Sequence, residues 1–226
     1  METMATAFVA DVGFFKQFCN PGLRLGTPIF CRKKSAQPCP GMTPRYGLGY
    51  VVIMLVLILN LGGCAMNPAV YQAETPVFKL EDVFGGQVKG WGMLQDWRGQ
   101  TTRRFTVDIK GTFAAGRGTL DETFYWADGE VQKRLWQVQQ LPDGQWQGTA
   151  GDIHGMATSQ MSGNAMNWRY QLNVPIGQPN PRIVRLTLDD WMFIISPGNV
   201  MNVTTMYKFG LPVGYLTIFL QNQGVK

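Results

Sequence analysis

Two adjacent carboxylate pairs, Asp121-Glu122 and Asp189-Asp190, a single imidazole at His154 and four cysteines, none beyond Cys64, are the side chains whose types and spacing could support chemistry. Two carboxyls in one site can divide acid and base roles, but neighbours on an extended strand point to opposite faces. Neither pair can therefore converge as a dyad without a bulge, although one member of each can point inward. Arg104, Asp108, Glu122, Arg169 and Asp189 are the candidates for a polar cluster inside a β domain, where burial would oblige them to pair. We read such a cluster first as a structural ion-pair network and second as a polar anchor for a ligand headgroup. His154 precedes Gly155 at an expected bend and reads as a solvated side chain in preference to a general base or a haem ligand. One histidine excludes a multi-histidine metal site, and Cys19, Cys31 and Cys39 match no zinc spacing. Phosphate loop, nucleophile elbow and cysteine-nucleophile signatures are all missing, so no catalytic residue, metal or cofactor is assigned and a non-enzymatic protein is expected.

The chain has 226 residues, of which 45% are hydrophobic and 15% charged. That composition excludes a disordered, collagen-like or disulfide-framework protein. The basic excess lies mostly before Cys64, where Lys16, Arg24, Arg32, Lys33, Lys34 and Arg45 face only Glu2 and Asp11. The nearly neutral remainder gives no electrostatic reason to expect a nucleic-acid partner.

No charged side chain occurs between Arg45 and Glu74, and within that gap runs Val51-Val52-Ile53-Met54-Leu55-Val56-Leu57-Ile58-Leu59. A basic residue, a short apolar core and small residues before a cleavage point describe a secretory signal peptide, expected to be helical. A transmembrane helix would need roughly 20 apolar residues in succession, and this run breaks at Asn60 and then at two glycines. Leu61-Gly62-Gly63-Cys64 resembles the lipobox of bacterial lipoproteins. The resemblance implies that Cys64 is diacylated, becomes the first mature residue and is acylated again, with palmitate among the chains. Two or more acyl chains give the stable anchoring that one does not. Ala65 after the cysteine points to the outer membrane over the inner one. The expected organisation is a signal peptide over 42–63, a lipid anchor, tether and first capping segment over 64–88, and a folded domain over 89–226. Residues 1–41 fit none of this and are read as an over-extended gene model ahead of a start at Met42, or as a disordered extension.

From Lys89 onward, stretches rich in Trp, Tyr, Phe, Val, Ile and Thr end at turn signals: Arg98-Gly99, Ala115-Gly116, Asp128-Gly129, Asp143-Gly144, Gly163-Asn164, Gly177 to Pro181, and Pro197-Gly198-Asn199. This punctuation predicts antiparallel hairpins. Phe105, Val107 and Ile109 share one face against Arg104, Thr106 and Asp108, and Trp168, Tyr170 and Leu172 oppose Arg169 and Gln171, so each strand has one dry face. The spacing of the turns exceeds the roughly 8 to 12 residues of a short-stranded sandwich. An all-β, up-and-down meander of about 8 to 10 strands, closed into a barrel, is expected over a sandwich because closure removes the exposed edges. The seven Trp residues read as core and cross-strand packing first and as a ligand wall second.

The segments Gly90-Trp91-Gly92-Met93-Leu94-Gln95-Asp96, Thr102-Arg103-Arg104-Phe105-Thr106-Val107, Gly118-Thr119-Leu120-Asp121-Glu122, Gly148-Thr149-Ala150-Gly151-Asp152 and Asp189-Asp190-Trp191-Met192 resemble those of a bacterial lipoprotein family catalogued as domain-of-unknown-function family 3833. The resemblance spans roughly Tyr71 to Gln221 and implies a lipocalin-like barrel; it carries no catalytic residue. The resulting expectation is an envelope lipoprotein, facing the periplasm, whose barrel binds a small apolar or lipid-like molecule. The alternative is a structural or protein-interaction module of the envelope with a filled barrel. Metabolic labelling with palmitate tests the anchor: the wild-type chain takes up label and Cys64→Ser does not.

Overall fold

The computed structural model describes residues 66–177 and 179–225; the signal segment, Leu61, Gly62, Gly63 and Cys64, and everything before them lie outside the described residues. From Pro68 the chain makes a 3-10 turn (Pro68–Tyr71) and one short helix, α1 (Leu80–Phe84). Ten strands follow: β1 (Gly86–Asp96), β2 (Thr101–Ala114), β3 (Arg117–Trp126), β4 (Val131–Gln140), β5 (Trp146–Thr149), β6 (Ile153–Ser162), β7 (Ala165–Ile176), β8 (Arg182–Ser196), β9 (Asn199–Lys208) and β10 (Leu211–Asn222). Each pairs antiparallel with its sequence neighbours, and β1 pairs with β10 from Val88↔Asn222 to Asp96↔Gly214, which closes the sheet. The fold is the all-β closed meander that the hairpin pattern predicts, as the lipocalin-like barrel implied by the family resemblance also requires.

The glycines of the turn signals supply the left-handed backbone that tight hairpins need. Gly99, Gly116, Gly129, Gly144, Gly163, Gly177 and Gly198 all have φ between +55° and +91°. Sequence reasoning passes over the β9–β10 turn, where Phe209 itself takes φ +52° and Gly210 φ +78°. It also passes over the β5–β6 connection. β5 is only four residues long and meets β6 at two register positions, Gln147↔Thr158 and Gly148↔Ala157, because β6 bulges between His154 and Thr158.

Alternation sorts the side chains. Val107, Ile109, Leu120, Phe124, Trp136, Val138, Trp168 and Leu172 form the barrel core. Phe105 lies over Gly92, where a Cβ would stand 2.3 Å from its ring, so a glycine on the inner face of β1 makes room for an aromatic ring on β2. The segment before β1 does more than tether. Phe78, Leu80, Val83 and Phe84 are buried, and α1 plugs the barrel end at which β1 starts and β10 finishes. Asn222, itself buried, holds the plug by donating from Nδ2 toward the carbonyls of Asp82, Val83 and Gly85 at 3.3, 3.1 and 3.0 Å. Farther back, the ring of Tyr71 covers Trp191 and Phe193 on the outer face of β8, with centroids 6.0 and 5.3 Å away. Trp191 is thus buried from outside the barrel.

The plug rests on Gly111 of β2, where an added Cβ would stand 1.8 Å from the carbonyl oxygen of Phe84. Gly111→Ala therefore pushes α1 off the barrel end. Overpacking of this kind costs about 1–3 kcal/mol, which in a domain of this size lowers the melting temperature by roughly 3–10 °C. Gly151→Ala is the control, since a Cβ there meets nothing within 4 Å. Circular-dichroism melts of the two variants check the difference.

Candidate functional site

Ten strands enclose more width than their side chains fill, and a cavity of about 120 Å³ remains between α1 and the opposite barrel end. Leu80 and Phe84 of α1 line it at one end, and Leu94, Phe105 and Trp126 at the other. Its wall is mostly aliphatic, with a group of aromatic rings among the Leu, Ile, Val and Met side chains: Phe105 packs on Trp126 with centroids 4.9 Å apart, and Trp136 meets Trp168 and Tyr170 edge-on at 5.8 and 5.5 Å. Among these apolar groups the cavity also exposes Glu122, Arg134, Tyr170, Asp190 and Asn202.

The polar residues arrive from five strands and one turn. Glu122 on β3 sits directly across from Arg134 on β4 in the register. Arg134 turns to the β5–β6 connection, where its Nε and Nη2 donate to Asp152 Oδ2 at 3.1 and 2.5 Å. Both partners are almost wholly buried, with side-chain exposures of 10% and 4%. A charge-assisted pair with two donors on one oxygen is among the stronger side-chain interactions. On the other wall, Asp190 of β8 accepts from Asn202 and from Thr204 Oγ1 (2.8 Å), both on β9. Glu122 is different, because it is buried and its Oε2 accepts no hydrogen bond.

These surroundings set the protonation states. Burial raises the Glu122 carboxyl from 4.5 to about 7, against the pull of Arg134 and with a further push from Asp152 and Asp190. Burial also raises Asp190, from 3.8 to about 6, although the hydrogen bonds from Asn202 and Thr204 oppose it. The Tyr170 hydroxyl is driven well up, by burial first and by Asp190 second. The cavity thus holds two carboxyls that keep their protons to higher pH than free ones, Asp190 to about 6 and Glu122 to about 7, inside an apolar wall.

The end opposite α1 is covered by a second group. Arg103 lies over Trp126, its guanidinium carbon 3.8 Å from the ring centroid, and pairs with Asp128 and with Glu130 (2.8 Å). The Trp126 Nε1 donates to Gln132 Oε1 at 2.9 Å. An apolar plug thus stands at one end and a stacked arginine at the other.

Of the five residues considered for an inner polar cluster, Glu122 enters the cavity. Arg104 and Asp108 are exposed on the outer face of β2, as the alternation with Phe105, Val107 and Ile109 requires. Arg169 is exposed between Trp168 and Tyr170, and its Nε donates to Asp189 Oδ1 at 3.0 Å on the outer surface. In the second acidic pair it is Asp190, in phase with Leu186 and Leu188, that points in. Arg134 and Asp152 escape sequence reasoning altogether. On β4, Val131 and Leu135 share the outer face and are half or more exposed, so hydrophobic pattern does not tell which face carries Arg134. His154 is exposed and stands away from the cavity, which removes it as a ligand for anything held inside. No group of three or more metal-ligating side chains forms among the described residues.

A closed meander around a cavity of mixed polarity defines the class: a lipocalin-like barrel. Residues 58–222 match the model of the family described as "Protein of unknown function (DUF3833)", and the chain belongs to that family. Among solved structures it is similar to an S-type phycobiliprotein lyase from Guillardia theta, with 9% identity, 71% of this chain and 99% of that chain covered, and a TM-score of 0.48. It is also similar to a protein of unknown function of the DUF3598 family from Nostoc punctiforme, with 10% identity, 66% and 51% coverage, and a TM-score of 0.41. None of the curated proteins compared with the chain matches it.

A carboxyl whose pKa is higher folded than unfolded holds a proton that the unfolded chain releases, so stability is full below the unfolded value and falls as pH rises toward the folded one. For Glu122 that window runs from about pH 4.5 to about 7, and Asp190 acts in the same direction. Glu122→Gln removes the ionisation and flattens the loss, a change on the order of 3 kcal/mol at most. Melting temperatures at pH 5 and pH 8 check this: the wild type falls more steeply than the variant.

Proposed function

We propose that the protein is a lipid-anchored protein of the bacterial envelope, facing the periplasm, whose barrel binds a small apolar or lipid-like molecule without transforming it. The observation that carries the binding reading is the cavity itself, an aliphatic and aromatic wall interrupted by polar side chains, among them Glu122 with a carboxylate oxygen that accepts no hydrogen bond. A solidly packed barrel has no use for buried ionisable groups, which cost stability unless each is paired. A ligand site has such a use, because a few placed polar groups in an apolar pocket orient what binds. The envelope address rests on the apolar run ending in Leu61-Gly62-Gly63-Cys64. The outer membrane is favoured over the inner by Ala65.

A second reading, a structural module of the envelope that binds other proteins, is favoured by one observation. The cavity is smaller than the roughly 300–1,000 Å³ of ordinary ligand pockets, nearer the ~150 Å³ that accommodates a benzene-sized guest. Native mass spectrometry of the processed chain released from membranes, followed by organic extraction, separates the two. The expected result is one small-molecule adduct per chain, lost in the cavity-filling variant Leu188→Trp. A bare mass in both proteins establishes the structural module instead.

A further inference from the structure

We infer that the molecule held in this cavity carries a proton-donating head, an amine before a hydroxyl, on an apolar body, and that Glu122 receives that head. The inference rests on the binding reading above and adds the chemical class of the ligand. Glu122 is the one residue of the cluster that is nine-tenths buried, lines the cavity and keeps a carboxylate oxygen with no hydrogen bond. Buried polar atoms are nearly always satisfied, and an ionised carboxylate can only accept, so in that form Oε2 selects a partner that donates.

The charges facing Glu122 decide between donor and acceptor heads. Across the register on β4 stands Arg134, and beyond it in the β5–β6 turn Asp152; Tyr170 comes from β7 and Asp190 from β8. Three carboxyls thus surround a single guanidinium among the described lining and its partner. That guanidinium is engaged through Nε and Nη2 by Asp152 Oδ2. Asp190 is satisfied from β9 by Asn202 and Thr204. Above about pH 7, where Glu122 and Asp190 are both ionised, a carboxylate ligand such as a fatty acid would meet them with like charge, and the one guanidinium in reach already has Nε and Nη2 on Asp152. An ammonium head does the reverse: it donates to Glu122 Oε2, and its charge offsets the cost of ionising that side chain inside an apolar wall. The apolar body then lies against Phe105, Trp126 and Trp136.

Protonation separates an amine from a neutral acceptor. With Glu122 titrating near 7, an ammonium requires the ionised form and binds more tightly as pH rises from 6 to 8, by about tenfold for one linked proton. A ligand that accepts a hydrogen bond from the protonated carboxyl weakens over the same range.

The test uses the full chain in nanodiscs of zwitterionic lipid, titrated calorimetrically with hexylamine, hexan-1-ol and hexanoate, with empty nanodiscs as reference. At pH 8 the expected order is hexylamine, then hexanol, then hexanoate, with at least a tenfold gap between first and last. Hexylamine affinity rises between pH 6 and pH 8, and Glu122→Gln abolishes both that rise and its advantage over hexanol. The wild-type pH series stands on its own if the variant does not fold. Hexanoate binding as tightly as hexylamine, or hexylamine binding that is indifferent to pH, overturns the head assignment and leaves the cavity reading intact. Failure of all three probes to bind overturns both.

Discussion

A sheet of ten strands closed on itself fixes an interior volume, and the rest of the molecule follows from the need to fill it. Rings of about eight strands are just wide enough for side chains to occupy the middle; ten make a wider ring. The response is visible in the inner positions, where Trp126, Trp136, Trp146 and Trp168 provide bulk that aliphatic residues could not. It is visible again in α1, a helix too short to be stable alone, which exists because Leu80, Val83 and Phe84 find an open barrel end to enter. What these groups leave unfilled is the cavity.

The polar cluster is expensive in this setting, and its components meet the cost differently. Arg134 and Asp152 form a tight pair, and Asp190 takes two donors from the neighbouring strand. Glu122 keeps one oxygen without a partner, and burial outweighs the pull of Arg134 and Trp136, so that its carboxyl holds a proton up to about pH 7. Outside the barrel the same residue types have little structural weight. The Arg169–Asp189 pair, with Arg169 about half exposed, belongs to the solvent-screened class whose contribution is small.

The fold was largely legible because antiparallel hairpins advertise themselves locally, through glycines that must adopt positive φ and through alternation with period two. The two turns that escaped lack those cues: a phenylalanine at φ +52° does not look like a turn residue, and the β5–β6 connection follows a four-residue strand too short to show alternation. The site was legible only in part, for a different reason. Arg104, Asp108 and Arg169 stood among the candidates for the interior, and the structure puts them outside, in the phase set by Phe105, Val107 and Ile109 on β2 and by Trp168 and Tyr170 on β7. On β4 the phase was ambiguous because Leu135 is exposed, and on β8 because Trp191 is buried from the outside by Tyr71. Asp152 lies in a turn, and nothing in its neighbours announces that Arg134 will reach it.

The latch between Asn222 and α1 joins residues 137 to 140 positions apart. Every other ladder in the barrel links a strand to one made immediately before it, so nine of the ten seams can form as the chain lengthens. The tenth cannot. Until the final strand has been synthesised and, in an exported chain, delivered, β1 waits with an unpaired edge and the carbonyls of α1 lack the Asn222 amide that holds them in place. Completion of the fold is thereby tied to completion of the chain, and a product cut short in β10 would be left with an open sheet and an unplugged interior, the kind of exposed edge and apolar surface that quality control in the cell is built to detect.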